Sequence, residues 1–197
     1  MYSPDLNSLS LNEATQLHLL RHFSSLDERY AENLTSAHGI QGQKIKDQMN
    51  MSGGKFFTGF ASNPIELWER LKKVIVETPV SVSWDGDHGY CRVLFDEEQF
   101  PDGIGVDGII KLKELDEKDK KFLRREQRDG IEIIFFDLPS KRKTWQVNVA
   151  LMKTDKGISL TTIFPGTFAP PFPNRKHQNE DAYSKNLEFW KYCALVK

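Results

Sequence analysis

The sequence predicts an α+β fold in which a helical first third is followed by a strand-rich remainder. Three observations predict it: apolar residues recur at helical spacing before Pro79, runs rich in β-branched and aromatic residues alternate after it, and most connections between those runs are short. Short connections favour an antiparallel meander. At 197 residues the chain is long enough for one well-packed core and short for two. A single domain is expected, with residues 1–36 as a helical extension and residues 37–197 as an α+β core that ends in a proline-rich tail.

In "LNEATQLHLLRHFSSLDERYAENL", Leu17, Leu20, Phe23 and Leu26 describe one amphipathic helix with Asn12 as its cap. "TSAHGIQGQKIKDQMNMSGGKFFTGFAS" is rich in Gly, Ser, Gln and Asn and reads as a long loop of the kind that carries functional groups. A second helix follows in "SNPIELWERLKKVIVETP". Ser62 or Asn63 caps it, Pro64 takes its first position, and Ile65, Leu67, Trp68, Leu71 and Ile75 supply its apolar side before Pro79 ends it. Strands are expected at Val80–Trp84, Tyr90–Phe95, Gly105–Leu112, Ile131–Leu138, Trp145–Met152 and Ile158–Phe164. Between them, "DEKDKKFLRREQRDG" reads as a short solvated helix capped by Asp116 and stopped by Gly130.

Period-2 alternation divides the last two strands into faces. Trp145, Val147, Val149 and Leu151 fall on one side of the first strand, with Gln146, Asn148, Ala150 and Met152 on the other. In the second strand Ile158, Leu160, Thr162 and Phe164 oppose Ser159, Thr161 and Ile163. Gln146, Asn148, Ser159 and Thr161 form hydrogen bonds without charge, whereas solvated faces more often carry Lys and Glu. This side is therefore either a solvated surface or a binding face.

Composition narrows the function classes. The chain is 39% hydrophobic and 28% charged, with a mean hydropathy of -0.52, as in ordinary globular proteins. A net charge of -1 disfavours nucleic-acid binding driven by global charge, though not a local basic patch. No apolar run approaches the roughly 20 residues of a membrane span, and the N-terminal segment lacks the regions of a signal peptide. A cytoplasmic protein without membrane association is expected. Cys91 and Cys193 are expected as reduced thiols, and neither has metal-ligand spacing around it. His18 and His22, at i and i+4 on the first helix, read as surface residues because no third metal ligand is near in sequence. These spacings give no metal site, and Walker, Gly-x-Ser-x-Gly and dinucleotide motifs are absent, so nucleotide hydrolysis and hydride transfer are unsupported and no cofactor is expected.

Several stretches together resemble the toxin-type nucleases of the barnase, EndoU, colicin and RelE group, found in the C-terminal domains of contact-dependent growth-inhibition toxins and other polymorphic bacterial toxins. They are "AHGIQGQKI", "GGKFFTGFASNPIELWERLKKVI", "GIGVDG", "TWQVNVALMKTDKGISLTTIFPG" and "NLEFWKYCALV". The resemblance implies metal-independent RNA cleavage by attack of the ribose 2′-OH on the adjacent phosphate, with RNA and an immunity protein as partners. Such chemistry needs proton-transfer groups and cations around the phosphorane. His38 is the expected proton-transfer residue, Lys44 or Lys55 the expected cation, and Thr161 the hydroxyl that orients the phosphate. Arg92, Gln146 and Asn148 complete the expected substrate contacts. The chain departs from the family where a second histidine would follow the first, at Gln43 and Lys44, and where Cys193-Ala194-Leu195 replaces a closing His-Ala-Leu. Those departures keep open an inactive protein- or nucleic-acid-binding module on the same fold, with Phe168 and Phe172 as exposed anchors.

Overall fold

The computed structural model describes residue 6 and residues 9–38, 53–78, 80–128, 130–138 and 142–197. Helix α1 (Glu13–Leu19) begins where expected, with the Asn12 side chain accepting a hydrogen bond from the Thr15 amide at 2.9 Å. One long helix was expected here; the chain instead tightens into a 3-10 turn at Leu20–His22 and becomes extended at Phe23. Phe23, fully buried, bridges to Phe56, and the Ser24 hydroxyl donates to the Phe56 carbonyl at 3.0 Å. Core burial of one aromatic ring thus overrides the helical pattern. Asp27 then accepts from the Arg29 amide at 2.9 Å as α2 (Glu28–His38) begins.

Helix α3 (Pro64–Glu77) is built as its sequence implies. Asn63 caps the Glu66 amide at 2.9 Å, and Glu66 reaches back to the amide and hydroxyl of Ser62 at 2.8 and 2.9 Å, a reciprocal capping arrangement. The helix ends at Glu77; Pro79, its expected stop, lies outside the described residues.

Among the described residues, three sheets are formed. The first joins β1 (Lys55–Phe56), β4 (Gly105–Val106) and β8 (Lys143–Thr144). In the second, β2 (Ser83–Asp85), β3 (His88–Leu94), β9 (Gln146–Thr154) and β10 (Gly157–Pro165) lie in the order β10-β9-β3-β2, all antiparallel. The third contains β5 (Ile109–Lys111), β6 (Leu123–Arg128), β7 (Ile131–Phe136) and β11 (Cys193–Val196) in the order β5-β11-β7-β6, with β11 parallel to β7. The α+β class holds, and β9 pairs antiparallel with β10 as expected.

Two segments differ from expectation. "DEKDKKFLRREQRDG" makes only a 3-10 turn at Glu117–Phe122 before turning into β6, which pairs with β7 through a hairpin at Gly130 (φ 76°). Its charges sit at the sheet edge, where they discourage further pairing. The run Gly105–Leu112 splits at Asp107-Gly108 into β4, which pairs with β1 and β8, and β5, which pairs with β11; a Cβ on Gly108 would lie 2.1 Å from the Gly54 amide, so only glycine fits at the junction.

The main core packs α1, Phe23, Phe56, Phe60 and α3 against one face of the second sheet, including Val93, Val147, Val149, Leu151 and Ile163. Trp145 stands half-buried at the entry to β9, its indole donating to the Phe100 carbonyl at 2.6 Å. A second cluster (Ile110, Ile134, Phe136, Ala194 and Val196) fills one face of the third sheet. Its other face meets α4 (Glu180–Lys191) through Ile109, Cys193 and Trp190.

Candidate functional site

The pairing register of the second sheet assigns its polar face residue by residue. Tyr90 stands opposite Ala150, Arg92 opposite Asn148 and Leu94 opposite Gln146. On the other side of β9, Leu160 faces Leu151 while Thr162 faces Ala150, so Thr161 is an extra residue in a β-bulge. The bulge reverses the expected alternation for the rest of the strand. Ile163 turns into the core, while Thr162 and Phe164 join the face that carries Ala150 and Asn148. Thr161 is exposed on the bulge, and Thr162, expected to pack with the core, has a buried hydroxyl without a hydrogen-bond partner among the described residues.

Part of this face is covered by the chain itself, while His88, Arg92 and Leu94 stay exposed. At Gly166 (φ 87°) the chain turns back over it, and the Gly166 carbonyl accepts from Gln146 Nε2 at 2.6 Å and from Asn148 Nδ2. Gln146 and Asn148, expected to bind substrate, therefore bind the protein's own backbone. A neutral amide is the right donor there, since a buried carbonyl needs a partner but a buried charge would be costly. The next residue is tied down by Asp107, whose carboxylate accepts from the Thr167 amide at 2.9 Å, the Thr167 hydroxyl at 2.6 Å and the Ile109 amide at 3.0 Å. Arg142 Nη2 lies 3.5 Å from the same carboxylate and donates to the Ile109 carbonyl at 3.0 Å.

Beyond this knot, Phe168 packs edge-on against Tyr90 at 4.6 Å between centroids and against Phe164 at 6.1 Å. Phe172, expected as an exposed anchor, instead packs on Trp190 at 5.5 Å, and the Trp190 indole donates to the Pro170 carbonyl at 3.2 Å. The proline-rich tail thus ties the second sheet to the third.

Cationic groups gather where α1 runs beside β10. The Thr15 hydroxyl donates to the Leu160 carbonyl at 3.1 Å, and seven residues on, the His22 ring meets Phe164 at 6.0 Å. His18 lies edge-on to His22 at 6.3 Å. Arg21 donates Nε to the His18 carbonyl at 3.2 Å and Nη2 to His18 Nδ1 at 2.9 Å, a contact that leaves the imidazole proton on Nε2. Lys55 Nζ donates to the Arg21 carbonyl, so β1 contributes a second cation. His18, Arg21, His22 and Lys55 therefore stand together beside Phe164. No described carboxylate pairs with Arg21 or with either histidine.

Crowding and dehydration alter the chemistry of this cluster. Burial, offset in part by the Gly54 carbonyl 3.4 Å from Nδ1 and reinforced by Arg21, His18 and Lys55, lowers the pKa of His22 to about 3. The ring keeps some surface exposure, yet protein surrounds it closely enough that the charged form is poorly solvated. Burial and the neighbouring guanidinium also lower His18. Lys55 falls to about 8, first through burial and then through Arg21.

The residues expected from the sequence thus separate. Lys55 belongs to the cluster, Arg92 stands exposed on the neighbouring face, and His88 is an exposed residue of the β2–β3 hairpin. His38 forms the last residue of α2, while its side chain and the whole of Lys44 lie outside the described residues. The sequence reading missed His18, Arg21 and His22 as a functional group, although their i, i+3, i+4 spacing was visible. Among the described residues, no three His, Cys, Asp or Glu side chains come together to hold a metal ion, and no helix is long and apolar enough to cross a membrane.

No family model matches the chain, and no curated protein matches it. Among solved structures, it is similar to a conserved hypothetical protein from Toxoplasma gondii ME49, with a TM-score of 0.49 and 10% identity over 71% of this chain and 87% of that one. A likeness that distant bears on neither activity nor site.

Proposed function

We propose that the chain is a metal-independent ribonuclease of bacterial toxin type whose phosphate site is the His18–Arg21–His22–Lys55 cluster. The observation that carries this reading is the convergence of two cations and two uncharged imidazoles beside Phe164 of β10, three residues past the bulge at Thr161. Arg21 supplies charge to the phosphate without risk of deprotonation. Lys55, with a pKa of about 8, is tuned toward the range in which a side chain exchanges protons efficiently near neutrality. It removes the proton from the ribose 2′-OH as the 2′-oxygen bonds to phosphorus. The bond from phosphorus to the 5′-oxygen breaks, and that oxygen takes a proton from water. His18, neutral and with its proton on Nε2, donates a hydrogen bond to the charged phosphorane. Thr161 orients the phosphate from the bulge.

The test is incubation of purified protein with total RNA in chelator across pH 6 to 9. Cleavage leaving 2′,3′-cyclic phosphate ends is expected, with a rate that rises with pH as Lys55 loses its proton around pH 8. Lys55→Gln is expected to lower the rate by about 10²- to 10⁴-fold, the usual contribution of a proton-transfer group. Full cleavage by Lys55→Gln removes that assignment. A second reading, RNA binding without cleavage, is favoured by the Lys55 amine already donating to the Arg21 carbonyl. Retention of RNA in a gel-shift assay, without cyclic phosphate products in any buffer, selects it.

A further inference from the structure

Next to the cationic cluster, the polar face carries a row of aromatic rings. Centroid steps of 6.0 Å from His22 to Phe164, 6.1 Å to Phe168 and 4.6 Å to Tyr90 lead from the cations across the sheet. The end of the row is accessible, because Phe168 is 38% exposed although it lies on a strap pinned before it at Gly166 and Thr167 and after it at Pro170. A ring held only as a hydrophobic anchor would be sunk more deeply, as Phe172 shows by packing against Trp190. Arg92, two residues along β3 from Tyr90, is exposed and pairs with no described carboxylate. On this face Tyr90, Arg92 and Leu94 of β3 stand opposite Ala150, Asn148 and Gln146 of β9, and β2 adds Ser83 opposite Tyr90 and Asp85 opposite His88. The strap covers Gln146 and Asn148, so a phosphate chain on this face follows the exposed Arg92 and Phe168, with Asp85 four residues along the ladder from Arg92 at the His88 end.

We propose that Phe168 and Tyr90, with Arg92 beside them, form a base-stacking subsite for single-stranded RNA whose backbone continues into the Arg21–Lys55 cluster. The inference rests on the phosphate site proposed above and adds the strandedness of the substrate. Aromatic faces stack unpaired bases of any identity, while an adjacent guanidinium holds the phosphate between them. Bases within a duplex have their faces covered by their neighbours and cannot use this row.

The test is fluorescence anisotropy with a labelled 2′-O-methyl RNA of about 12 nucleotides, a length within the range that single-stranded binding sites cover. The blocked 2′-oxygen prevents cleavage during measurement. Its duplex and an abasic strand of the same length serve as comparisons. Phe168→Leu is expected to weaken binding of the base-bearing single strand by about 5- to 150-fold, the range for loss of one stacked base. It should leave the abasic strand unaffected, and Phe168→Tyr should restore binding. Thermal melting checks that each variant is folded; Arg92→Gln, at an exposed position, should weaken the base-bearing and abasic strands alike, and unchanged affinity for both removes Arg92 from the subsite. Unchanged affinity of folded Phe168→Leu for the single strand, equal losses on the base-bearing and abasic strands, or equal wild-type affinity for duplex and single strand each overturn the subsite. Arg21→Gln should weaken the base-bearing and abasic strands alike. If it does not, while Phe168→Leu behaves as expected, the stacking subsite stands and the phosphate site falls.

Discussion

At His22, burial keeps an imidazole uncharged far below its ordinary pKa, and a pH dependence of stability follows. Its pKa is about 3 in the folded chain and 6.5 when unperturbed, so between those values the unfolded chain binds the proton more readily. Stability carried by neutral His22 is complete above pH 6.5 and is lost as pH falls toward 3. His18, lowered in the same direction, adds to the loss. Melting temperatures from pH 7.5 to 4 should therefore fall more steeply for the wild-type protein than for His22→Gln; parallel slopes would remove His22 as the cause. Asp107 is the other residue on which a local structure depends, since it accepts from three donors and lies beside Arg142. Asp107→Ala leaves those donors buried without their acceptor, and the expected cost is about 3 to 5 kcal/mol, typical of breaking a buried charged pair. Urea denaturation measures it, and a loss below about 1 kcal/mol, the scale of an exposed pair, would contradict the assignment.

Among the elements, β10 depends on one additional residue. Leu160 and Thr162 face consecutive residues of β9, leaving Thr161 outside the ladder. Removal of one threonine from the Thr161-Thr162 pair should therefore give a continuous strand with Leu160 and Ile163 still in the core. The variant is expected to fold, with a melting temperature within a few degrees of the wild type, because about 1 kcal/mol shifts a domain of this size by only about 2 to 4 °C. Deletion of Ala150 from β9 has the opposite expectation. It moves every later side chain of that strand to the other face and should abolish cooperative melting. Similar melting curves for both deletions would show that the bulge does not set the register.

For the whole molecule, the decisive connection is made by the last strand. β11 enters between β5 and β7, so the middle of the third sheet is completed by residues far along the chain from both neighbours. Truncation after Tyr192 would expose two strand edges and remove Ala194 and Val196 from their buried cluster. The expected outcome is aggregation or loss of cooperative unfolding, measured by size-exclusion chromatography and thermal melting. A truncated protein that elutes without aggregating and melts like the full chain would show that the first two sheets suffice.

The sequence by itself determined the α+β class, the cap at Asn12, a second cap at Ser62 or Asn63 that the structure resolves as Asn63, the β9–β10 hairpin and the buried set Val147, Val149 and Leu151. Caps, turns and alternation act over a few residues, and those distances are legible in the order of side chains. Tertiary structure decided the break at Phe23, the bulge at Thr161, the insertion of β11 and the strap over the polar face. In each case a distant partner outweighed the local pattern: Phe56 drew Phe23 out of the helix, and the ladder with β9 reversed the roles of Thr162 and Ile163. The candidate site followed the same division. Lys55 was visible as a cation, but its meeting with His18, Arg21 and His22 required β1 to return beside the first helix. The lowered pKa values arise from that proximity and from burial, neither of which a residue possesses until the chain has folded.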